Sequence, residues 1–586
     1  MSDCNGHCAA ARRADGVIRS GTLAALLLIG ATLRLALLDV NPAGVFHDEA
    51  EKGYSAWSLA RIGRVIDFTA PIAHEPGGEA YQTTRWPLFI NVWGSHTSAI
   101  YQYAALPLIA AFGPNNWTLR LPAALAGTLT LLFCFLLIRE LYDEKTAFIA
   151  TVLLAFSPWH LVFSRWAAQG IFVPLFVCAG LWLLARGAKT MANSTAEGGC
   201  ATSTIAQRHP AHWFGAAVCL GLAFYSYAGA RPFLLLFFCW VAWLWRKELL
   251  AEKKWSVPAV ALLALMTGFT LYCMLSGGGE RMERFNRLSV FNQPGGVGLF
   301  LRNYLAHFSP LFLFFTGDAQ PRHGLPLCGV MLHVELPLFL MGLWTLGKRR
   351  SREDLLLLGW FLLSPISAAL TNEGNPHALR MLHAIPSTMA ISAVGLSALR
   401  EHWQKSRRQG AIQWLWRAAL LNGIFVALIL FYRYPQYSVY AYESGLREAI
   451  ERADALGTQY APDGYRIIDP LYGGYPPIPD LFYFLGHVEP EDALQDGPQA
   501  SRFMLNRQYL RSGELARQLS LGDSVIIVGG DAVDPSLQGL FSQTGDKGLV
   551  VNIEIISPRN ISAMNPPFLL FTLSPPENTT SPSGEK

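Results

Sequence analysis

Long apolar stretches recur along the first 432 residues of this 586-residue chain, and they restrict the folds open to it. A helix needs about 20 mostly apolar residues to cross the hydrocarbon core of a bilayer. Charged residues make up only 15% of the sequence, whereas an average soluble domain carries roughly 25%. The sequence therefore predicts an α-helical polytopic membrane protein. Spans are predicted near residues 17–39, 119–139, 146–164, 170–186, 212–229, 232–246, 257–276, 326–346, 355–371, 379–398 and 413–432.

The distribution of Lys and Arg predicts how these spans are oriented, because short cytoplasmic loops are enriched in both residues. Residues 98–112, which include Pro107, could form a further span or a helix on the membrane surface. A surface helix leaves all basic clusters cytoplasmic, whereas a span would move every cluster after the first outside. We therefore predict about eleven spans, a cytoplasmic N-terminus, an outer C-terminus and an interfacial helix at 98–112. The clusters are Arg12/Arg13/Arg19, Arg139/Lys145, Arg186/Lys189, Arg246/Lys247/Lys253/Lys254, Lys348/Arg349/Arg350/Arg352 and Arg400/Lys405/Arg407/Arg408.

The sequence divides into a membrane domain, residues 1–432, whose first outer loop is 40–118, and a C-terminal part of different character. From about residue 433, short β-rich runs alternate with helical stretches, which is typical of a small soluble α/β domain. We predict that domain at 433–573, outside the membrane, and a disordered tail at 574–586. The N-terminal apolar run lacks a clear small-residue cleavage site, so it is predicted to be retained as the first span.

Several function classes are disfavoured by composition and motifs. The net charge is only +4 and the basic residues lie in short clusters, without the basic stripe of a nucleic-acid binder. The nine cysteines lack paired metal spacings, so neither a disulfide framework nor a zinc site is indicated. Walker, GxGxxG, HExxH and nucleophile-elbow motifs do not occur. We predict no cofactor, no metal and no nucleic-acid partner.

The densest charge near the N-terminus lies in F-H-D-E-A-E-K, residues 46–52, about seven residues after the first span. A carboxylate pair at a membrane surface could act as a base on a lipid-borne substrate, which singles out Asp48 and Glu49. The structural alternative is a capping box with Asp48 at the N-cap and Glu51 three residues later, although it leaves His47 and Glu49 unexplained. A metal site of His47, Asp48 and Glu51 matches no strong zinc pattern. We predict Asp48 as the base, Glu49 as its support and Glu51 as structural.

A second group of candidates consists of cations and histidines at the outer ends of spans. The alternative is that each arginine extends to the lipid head groups, which is common. Outer arginines run against the positive-inside rule, however, and guanidinium groups bind phosphate through two parallel hydrogen bonds. Taken together, these outer cations and histidines predict a binding site for a lipid phosphate or pyrophosphate. The candidates are Arg165, Arg231, Arg322, His323, His377 and Arg380.

Five stretches of the sequence resemble the polytopic glycosyltransferases of family 39 and their relatives, which include protein O-mannosyltransferases and lipid A aminoarabinose transferases. They are distributed in order over most of the first 400 residues. They are H-D-E-A-E-K-G-Y-S-A-W-S-L-A-R-I-G (47–63), N-W-T-L-R-L-P-A-A-L-A-G (116–127), A-F-S-P-W-H-L-V-F-S-R-W-A (155–167), G-D-A-Q-P-R-H (317–323) and G-N-P-H-A-L-R (374–380).

This resemblance implies the C-type glycosyltransferase fold and an inverting transfer from a polyprenyl-phosphate sugar on the outer face of the membrane. In such families an acidic pair opening the first outer loop contains the base, and it maps onto Asp48 with Glu49 beside it. The cations named above would hold the phosphate as its charge grows. Relatives often carry an Asp shortly after the S-R pair, whereas this chain has Gln169 in that region.

The sequence therefore predicts a glycosyltransferase of the bacterial inner membrane that moves a sugar from a polyprenyl-phosphate donor to a hydroxyl of a protein, lipid or cell-envelope glycan. Protein glycosylation and lipid A modification are both consistent with this predicted reaction. Its other partners would be membrane lipids and the acceptor. The alternatives are a transporter or flippase of lipid-linked saccharides and a non-catalytic binding or assembly factor. A transporter is disfavoured because no internal repeat and no charged residues near the middle of spans are recognised.

Overall fold

The structure is a computed structural model of the chain. Some predicted features, among them the cluster at Arg12, Arg13 and Arg19 and the tail after residue 574, lie outside the residues that it describes. The described residues are 20–71, 79, 81–92, 95–196, 209–276, 288–405, 409–442, 444–460, 466–469, 484–496, 503–504, 525–529, 550–556 and 568–574.

Helices dominate the described residues, as the apolar runs predict. In chain order the α-helices are α1 (Ser20–Leu35), α2 (His47–Ile62), α3 (Ile100–Phe112), α4 (Asn116–Leu141), α5 (Glu144–Phe156), α6 (Pro158–Phe163), α7 (Phe172–Ala196), α8 (His209–Ser226), α9 (Arg231–Leu244), α10 (Arg246–Ala251), α11 (Lys253–Ser276), α12 (Gly296–Ala306), α13 (Glu335–Arg349), α14 (Arg352–Leu363), α15 (Ile366–Ala369), α16 (Ile385–Lys405), α17 (Gln409–Leu428), α18 (Tyr434–Tyr437), α19 (Leu446–Tyr460) and α20 (Pro490–Asp496). Short 3-10 or π segments lie at Gln169–Ile171, Ala228–Ala230, Val290–Asn292, Leu311–Phe315, Leu379–Ala384, Ile429–Arg433 and Val439–Tyr442.

The strands form two hairpins and one larger sheet. β1 pairs antiparallel with β2, and β3 pairs antiparallel with β4. The larger sheet has the order β6-β5-β7-β9-β8, in which β5 is parallel to β6 and β7, while β9 is antiparallel to β7 and β8. Four of its strands, β5, β7, β8 and β9, correspond to β-rich runs predicted after residue 433, whereas β6 lies in a stretch, 502–519, that was predicted to be helical. The strands are β1 (Arg64–Pro71), β2 (Tyr81–Arg85), β3 (Phe89–Val92), β4 (Ser95–Ser98), β5 (Arg466–Asp469), β6 (Phe503–Met504), β7 (Val525–Gly529), β8 (Val550–Ile556) and β9 (Phe568–Ser574).

Five helical segments among the described residues are long and apolar enough to cross a membrane: Asn116–Leu141, Gln169–Lys189, Lys253–Ser276, Leu379–Gln404 and Gln413–Tyr437. A sixth span results if Pro210–Ser226 and Ala228–Leu244, which meet at a bend of 111°, are counted as one. The predicted count of about eleven spans stays a prediction. The orientation of the spans and the interfacial position of α3 also stay predictions. At 13 residues, α3 is shorter than a spanning helix requires.

One predicted span is wrong at its start: the span predicted at 326–346 corresponds to α13, which begins only at Glu335. The preceding residues are not helical, because Leu327 has a left-handed φ of 63°. Gly329 packs directly against the Phe314 backbone, and the amide of Met331 donates to the carbonyl of Leu313 at 2.7 Å. An apolar composition alone did not reveal this extended segment.

Polar side chains mark several helix starts. The Asp143 carboxylate accepts from the amide of Thr146 at 2.9 Å and caps α5. Ser351 and Asp354 form a reciprocal capping box at the start of α14. Such caps bind amide groups that the first turn of a helix cannot pair internally. They fix where these two helices begin.

The chain divides into two compact units. Unit 1 comprises residues 1–38, 89–101 and 120–431, and unit 2 comprises 39–88, 102–119 and 432–586. Unit 2 therefore joins most of the predicted first outer loop to the C-terminal part. The predicted domain boundaries stay predictions.

Unit 1 is a helical bundle in which α13 and α16 pack closely against each other. A Cβ atom at Gly342 would overlap the carbonyl oxygen of Ile391, and one at Gly395 would overlap that of Leu338. Small residues allow helix backbones to approach this closely. Elsewhere in the unit, α8 packs against α7 and α11.

In unit 2, α2 packs against the segment around α20. Gly53 faces the ring of Phe484, the Tyr54 hydroxyl donates to the Val488 carbonyl at 3.2 Å, and Arg61 lies 3.2 Å from Glu489. Residues far apart in sequence thus fix the position of α2 within its unit.

Candidate functional site

The acidic segment forms the first turn of α2, in unit 2. The helix begins at His47 with Phe46 as its N-cap, and Glu49 Oε2 accepts from the Phe46 amide at 3.2 Å. The suggested capping box of Asp48 and Glu51 is therefore wrong, because the N-cap lies two residues earlier than that alternative assumed. Glu49, three residues after the N-cap, is the residue that bonds back to it.

Asp48 is the exposed member of this segment. Its side chain retains 55% of its accessible surface, and Oδ1 lies 3.5 Å from His47 Nε2. The Lys52 ammonium donates to the Asp48 backbone carbonyl at 2.6 Å, and Lys52 is itself buried. A carboxylate in a first turn is stabilised by the helix dipole. Asp48 is thus an exposed carboxylate in the first turn of a helix.

Glu51, in contrast, is buried. Its Oε1 accepts from the Ser55 hydroxyl and from the Gln102 side-chain amide, both at 3.3 Å. Burial raises the pKa of Glu51 to about 7; Asp48 adds to the rise, while Lys52, Gln102 and Ser55 oppose it. A carboxyl group with a pKa near neutrality can exchange a proton at working pH. The sequence predicted only a structural role for Glu51. Its burial and its raised pKa could not be read from the sequence, because they depend on packing against residues such as Gln102 in α3.

The second group of candidates lies in unit 1, where two loops meet. His323 Nδ1 lies 3.0 Å from Asp318 Oδ2, and the rings of His323 and His377 lie 4.9 Å apart between centroids. One donor atom from each of these three side chains lies within 4.8 Å of the other two. The Phe163 ring stacks on His323 at 5.6 Å. The structure thus brings two predicted site residues together with Asp318, which the sequence had not singled out.

Backbone amides hold Asp318 in place. Oδ1 accepts from the amide of Gln320 at 2.9 Å, and Oδ2 accepts from that of Ala378 at 2.7 Å. Burial alone would raise the pKa of Asp318, but the hydrogen bond and charge of His323 and the bonds from these amides outweigh it and lower the pKa below its usual value. The carboxylate is thus ionised and fixed.

His377 is held through its backbone. Its amide donates to His307 Nε2 at 3.0 Å, while His307 Nδ1 pairs with the Asn303 carbonyl at 2.7 Å. His377 Nδ1 is buried and has no hydrogen-bond partner among the described residues. Burial, His323 and Arg380 together lower the pKa of His377 far below its usual value. Its imidazole is therefore neutral and carries an available lone pair.

The predicted arginines have distinct surroundings. Arg165 is buried, and its guanidinium donates to the carbonyls of Leu33, Arg34 and Ala36 at 2.8, 3.2 and 2.6 Å. Arg231 donates to the carbonyls of Phe224 and Tyr225 at 3.2 and 3.4 Å.

Two further arginines lie close to the histidine pair in sequence. Arg380 binds the Glu373 carboxylate and the Thr371 hydroxyl. Arg322 is half-buried beside His323. Gln169, the departure from the family pattern, lies half-buried at the start of a 3-10 turn. The roles predicted for all these residues stay predictions.

Residues 100–197 match the family described as dolichyl-phosphate-mannose-protein mannosyltransferase. A comparison by sequence with the curated proteins finds no significant match. The structure is similar to that of ArnT from Cupriavidus metallidurans in the apo state, with a TM-score of 0.51 and 13% identity over 94% of this chain and 97% of that one. ArnT from the same organism bound to undecaprenyl phosphate gives a TM-score of 0.49, 12% identity and coverages of 94% and 98%. Archaeal oligosaccharyltransferase AglB from Archaeoglobus fulgidus, in complex with an inhibitory peptide and a dolichol-phosphate, gives a TM-score of 0.47 and 16% identity. The match covers 96% of this chain and 75% of that one.

At 13% identity the likeness to apo ArnT is one of fold, and it extends over nearly the whole of both chains. The segment matched in sequence contains Arg165 and Gln169 but neither Asp48 nor the histidine pair. The predicted resemblance to these membrane glycosyltransferases thus agrees with a family match over residues 100–197 and with a fold shared with apo ArnT.

Proposed function

We propose that this protein is a membrane glycosyltransferase that moves a sugar from a polyprenyl-phosphate donor to a hydroxyl acceptor on the outer face of the membrane. One observation carries the proposal: a segment matching the dolichyl-phosphate-mannose-protein mannosyltransferases lies within a chain that has the fold of ArnT. The family name specifies a polyprenyl-phosphate sugar as donor and a protein as acceptor. The inner membrane of a bacterium, with unit 2 outside, is the proposed location.

In the proposed reaction Asp48 is the general base. As the acceptor oxygen bonds to the anomeric carbon of the sugar, its proton passes to the Asp48 carboxylate. The bond between that carbon and the phosphate oxygen breaks, and polyprenyl phosphate leaves with the electron pair. Attack from the side opposite the phosphate inverts the anomeric centre. The exposure of Asp48 and the helix start fixed by Glu49 support these roles.

The departing phosphate needs positive charge nearby. Arg322 and Arg380 are the proposed source in the outer loops, and His323 and His377 would add contacts. His377 is neutral by its lowered pKa, so in this proposal it contributes a hydrogen bond and no charge. The guanidinium groups of Arg165 and Arg231 donate to main-chain carbonyls. In this proposal these two arginines hold helix ends in place, although the sequence also predicted them as phosphate ligands.

The test compares full-length wild type with the Asp48→Asn variant, purified in detergent. The probes are radiolabelled undecaprenyl-phosphate hexoses, mannose among them, supplied with a total envelope extract as acceptor. We expect D48N to lower the rate of covalent transfer by about 100-fold or more, the usual contribution of a general base. Glu79→Gln, which changes a surface carboxylate paired with Arg64 at 2.7 Å, should retain the wild-type rate.

Two results would contradict the proposal. A fully active D48N variant would remove Asp48 from the chemistry. If reconstituted wild type moved the labelled lipid across the bilayer without forming a new glycosidic bond, the protein would be a transporter.

A further inference from the structure

We infer that Asp318, His323 and His377 form a binding site for one divalent metal ion of the zinc class. The donors come from two loops of unit 1, residues 317–323 and 374–380, which are distant in sequence. Two imidazoles and one carboxylate are a common protein ligand set for Zn²⁺. The inference concerns this cluster alone and does not depend on the transferase reaction.

The separations of the donor atoms suit such an ion. With metal–ligand bonds of about 2.0–2.2 Å in tetrahedral geometry, neighbouring ligand atoms lie about 3.3 Å apart. Asp318 Oδ2 and His323 Nδ1 are already 3.0 Å apart, and all three donor atoms lie within 4.8 Å of one another. Closing the widest of these separations to about 3.3 Å would therefore need side-chain shifts of at most about 1.5 Å.

Groups behind the ligands fix their orientation, which is a regular feature of metal sites. The amides of Gln320 and Ala378 hold the Asp318 carboxylate. The Ala378 carbonyl in turn accepts from the indole of Trp159 at 3.1 Å. His307 Nε2 holds the His377 amide at 3.0 Å. Both loops are thus held before an ion arrives.

His377 supplies the observation that points to a ligand. Its Nδ1 is buried without a hydrogen-bond partner among the described residues, and burying a polar atom in this way is unfavourable. A bound cation would use this lone pair. Arg380, three residues further on, is held by the Glu373 carboxylate and the Thr371 hydroxyl. Three protein donors leave a fourth position for water or an anionic oxygen.

The experiment measures metal content directly. Full-length protein in detergent is stripped with a chelator, incubated with Zn²⁺ and desalted, and bound zinc is then quantified by mass spectrometry. We expect wild type to retain one equivalent more than Asp318→Asn or His377→Ala. Co²⁺ in place of zinc should give the visible absorption of a four-coordinate site in wild type only. The matched control is His333→Ala, a histidine near Asn422 in the same unit, which should retain the ion.

Equal zinc content in wild type, D318N and H377A would overturn the inference, as would a wild type that binds no zinc. D318N preserves the shape of the side chain, so it remains decisive if H377A elutes as aggregate in gel filtration. Zinc should also raise the Tm of wild type but not of D318N, because a ligand that binds only the folded state stabilises it. None of these measurements uses the transfer assay, so a failure of the proposed function would leave their outcome unchanged.

Discussion

The buried carboxyl group of Glu51 should make the stability of unit 2 depend on pH, and the variant Glu51→Gln should remove that dependence. Glu51 is almost fully buried in α2, with Ser55 and Gln102 as its hydrogen-bond partners. A glutamine has nearly the same shape and can also bond to both partners. It cannot ionise, so the variant isolates the effect of the buried charge.

The sign and size follow from the two pKa values of the group. Burial raises the folded-state pKa from 4.5 to about 7, so between these values the folded state keeps a proton that the unfolded chain has lost. The stability contributed by the protonated group is fully present below pH 4.5 and is lost as the pH rises through 7. One pKa unit corresponds to about 1.4 kcal/mol, so the full loss is about 3 kcal/mol.

Thermal unfolding in detergent, followed by tryptophan fluorescence between pH 5 and pH 8, measures this effect. Relative to E51Q, wild type should lose several degrees of Tm across that range. The control is Ser58→Ala in the same helix, which removes a hydroxyl that donates to the Arg64 carbonyl at 2.7 Å. Its effect should be the same at every pH, since no proton is exchanged. If the difference between wild type and E51Q is constant with pH, Glu51 ionises without cost and the reasoning from burial is refuted.

Two substitutions in unit 1 test its packing by the same unfolding assay. Gly342→Ala should lower the free energy of unfolding by about 1–3 kcal/mol. The new methyl group would overlap the Ile391 carbonyl and force α13 and α16 apart. Gly347→Ala in the same helix meets nothing within 4 Å, so it should be neutral or stabilising, and equal effects of the two would contradict this reasoning. Arg165→Ala should lower the free energy of unfolding by at least about 2 kcal/mol, because it leaves buried carbonyls such as that of Leu33 without their charged donor. An unchanged Tm would show that these hydrogen bonds contribute nothing to stability.

The sequence predicted best those helices whose apolar runs are long and uninterrupted. The predicted spans 119–139 and 257–276 correspond closely to Asn116–Leu141 and Lys253–Ser276. The span predicted at 146–164 is divided at Ser157, where Pro158 begins a new helix with Ser157 as its cap. Proline cannot donate the backbone hydrogen bond that would continue a helix. Length and hydropathy thus gave the position of these two helices, and the Ser-Pro pair decided the break between them.

The candidate sites were predictable as residue types and not as arrangements. The motif at 317–323 drew attention to Arg322 and His323, yet Asp318 in the same motif became significant only through its contact with His323. Likewise, Arg165 was predicted to bind phosphate, and its contacts with the end of α1 arise from residues more than a hundred positions away. Contacts of this kind depend on tertiary packing, which neither composition nor local periodicity encodes.

The acidic segment shows how burial distinguishes three similar carboxyl groups within one turn of helix. Successive residues are rotated by about 100° around a helix axis, so Glu49 points away from Asp48, whereas Glu51, three residues on, lies only about 60° from Asp48. Asp48 is exposed, Glu49 is buried against the helix start that it caps, and Glu51 is buried beside Gln102. The three groups thus differ in exposure, although the charge of Asp48 still adds to the rise in the pKa of Glu51. D48N should act on transfer, whereas E51Q should act on the pH dependence of stability, and that separation follows from the exposure of Asp48 and the burial of Glu51.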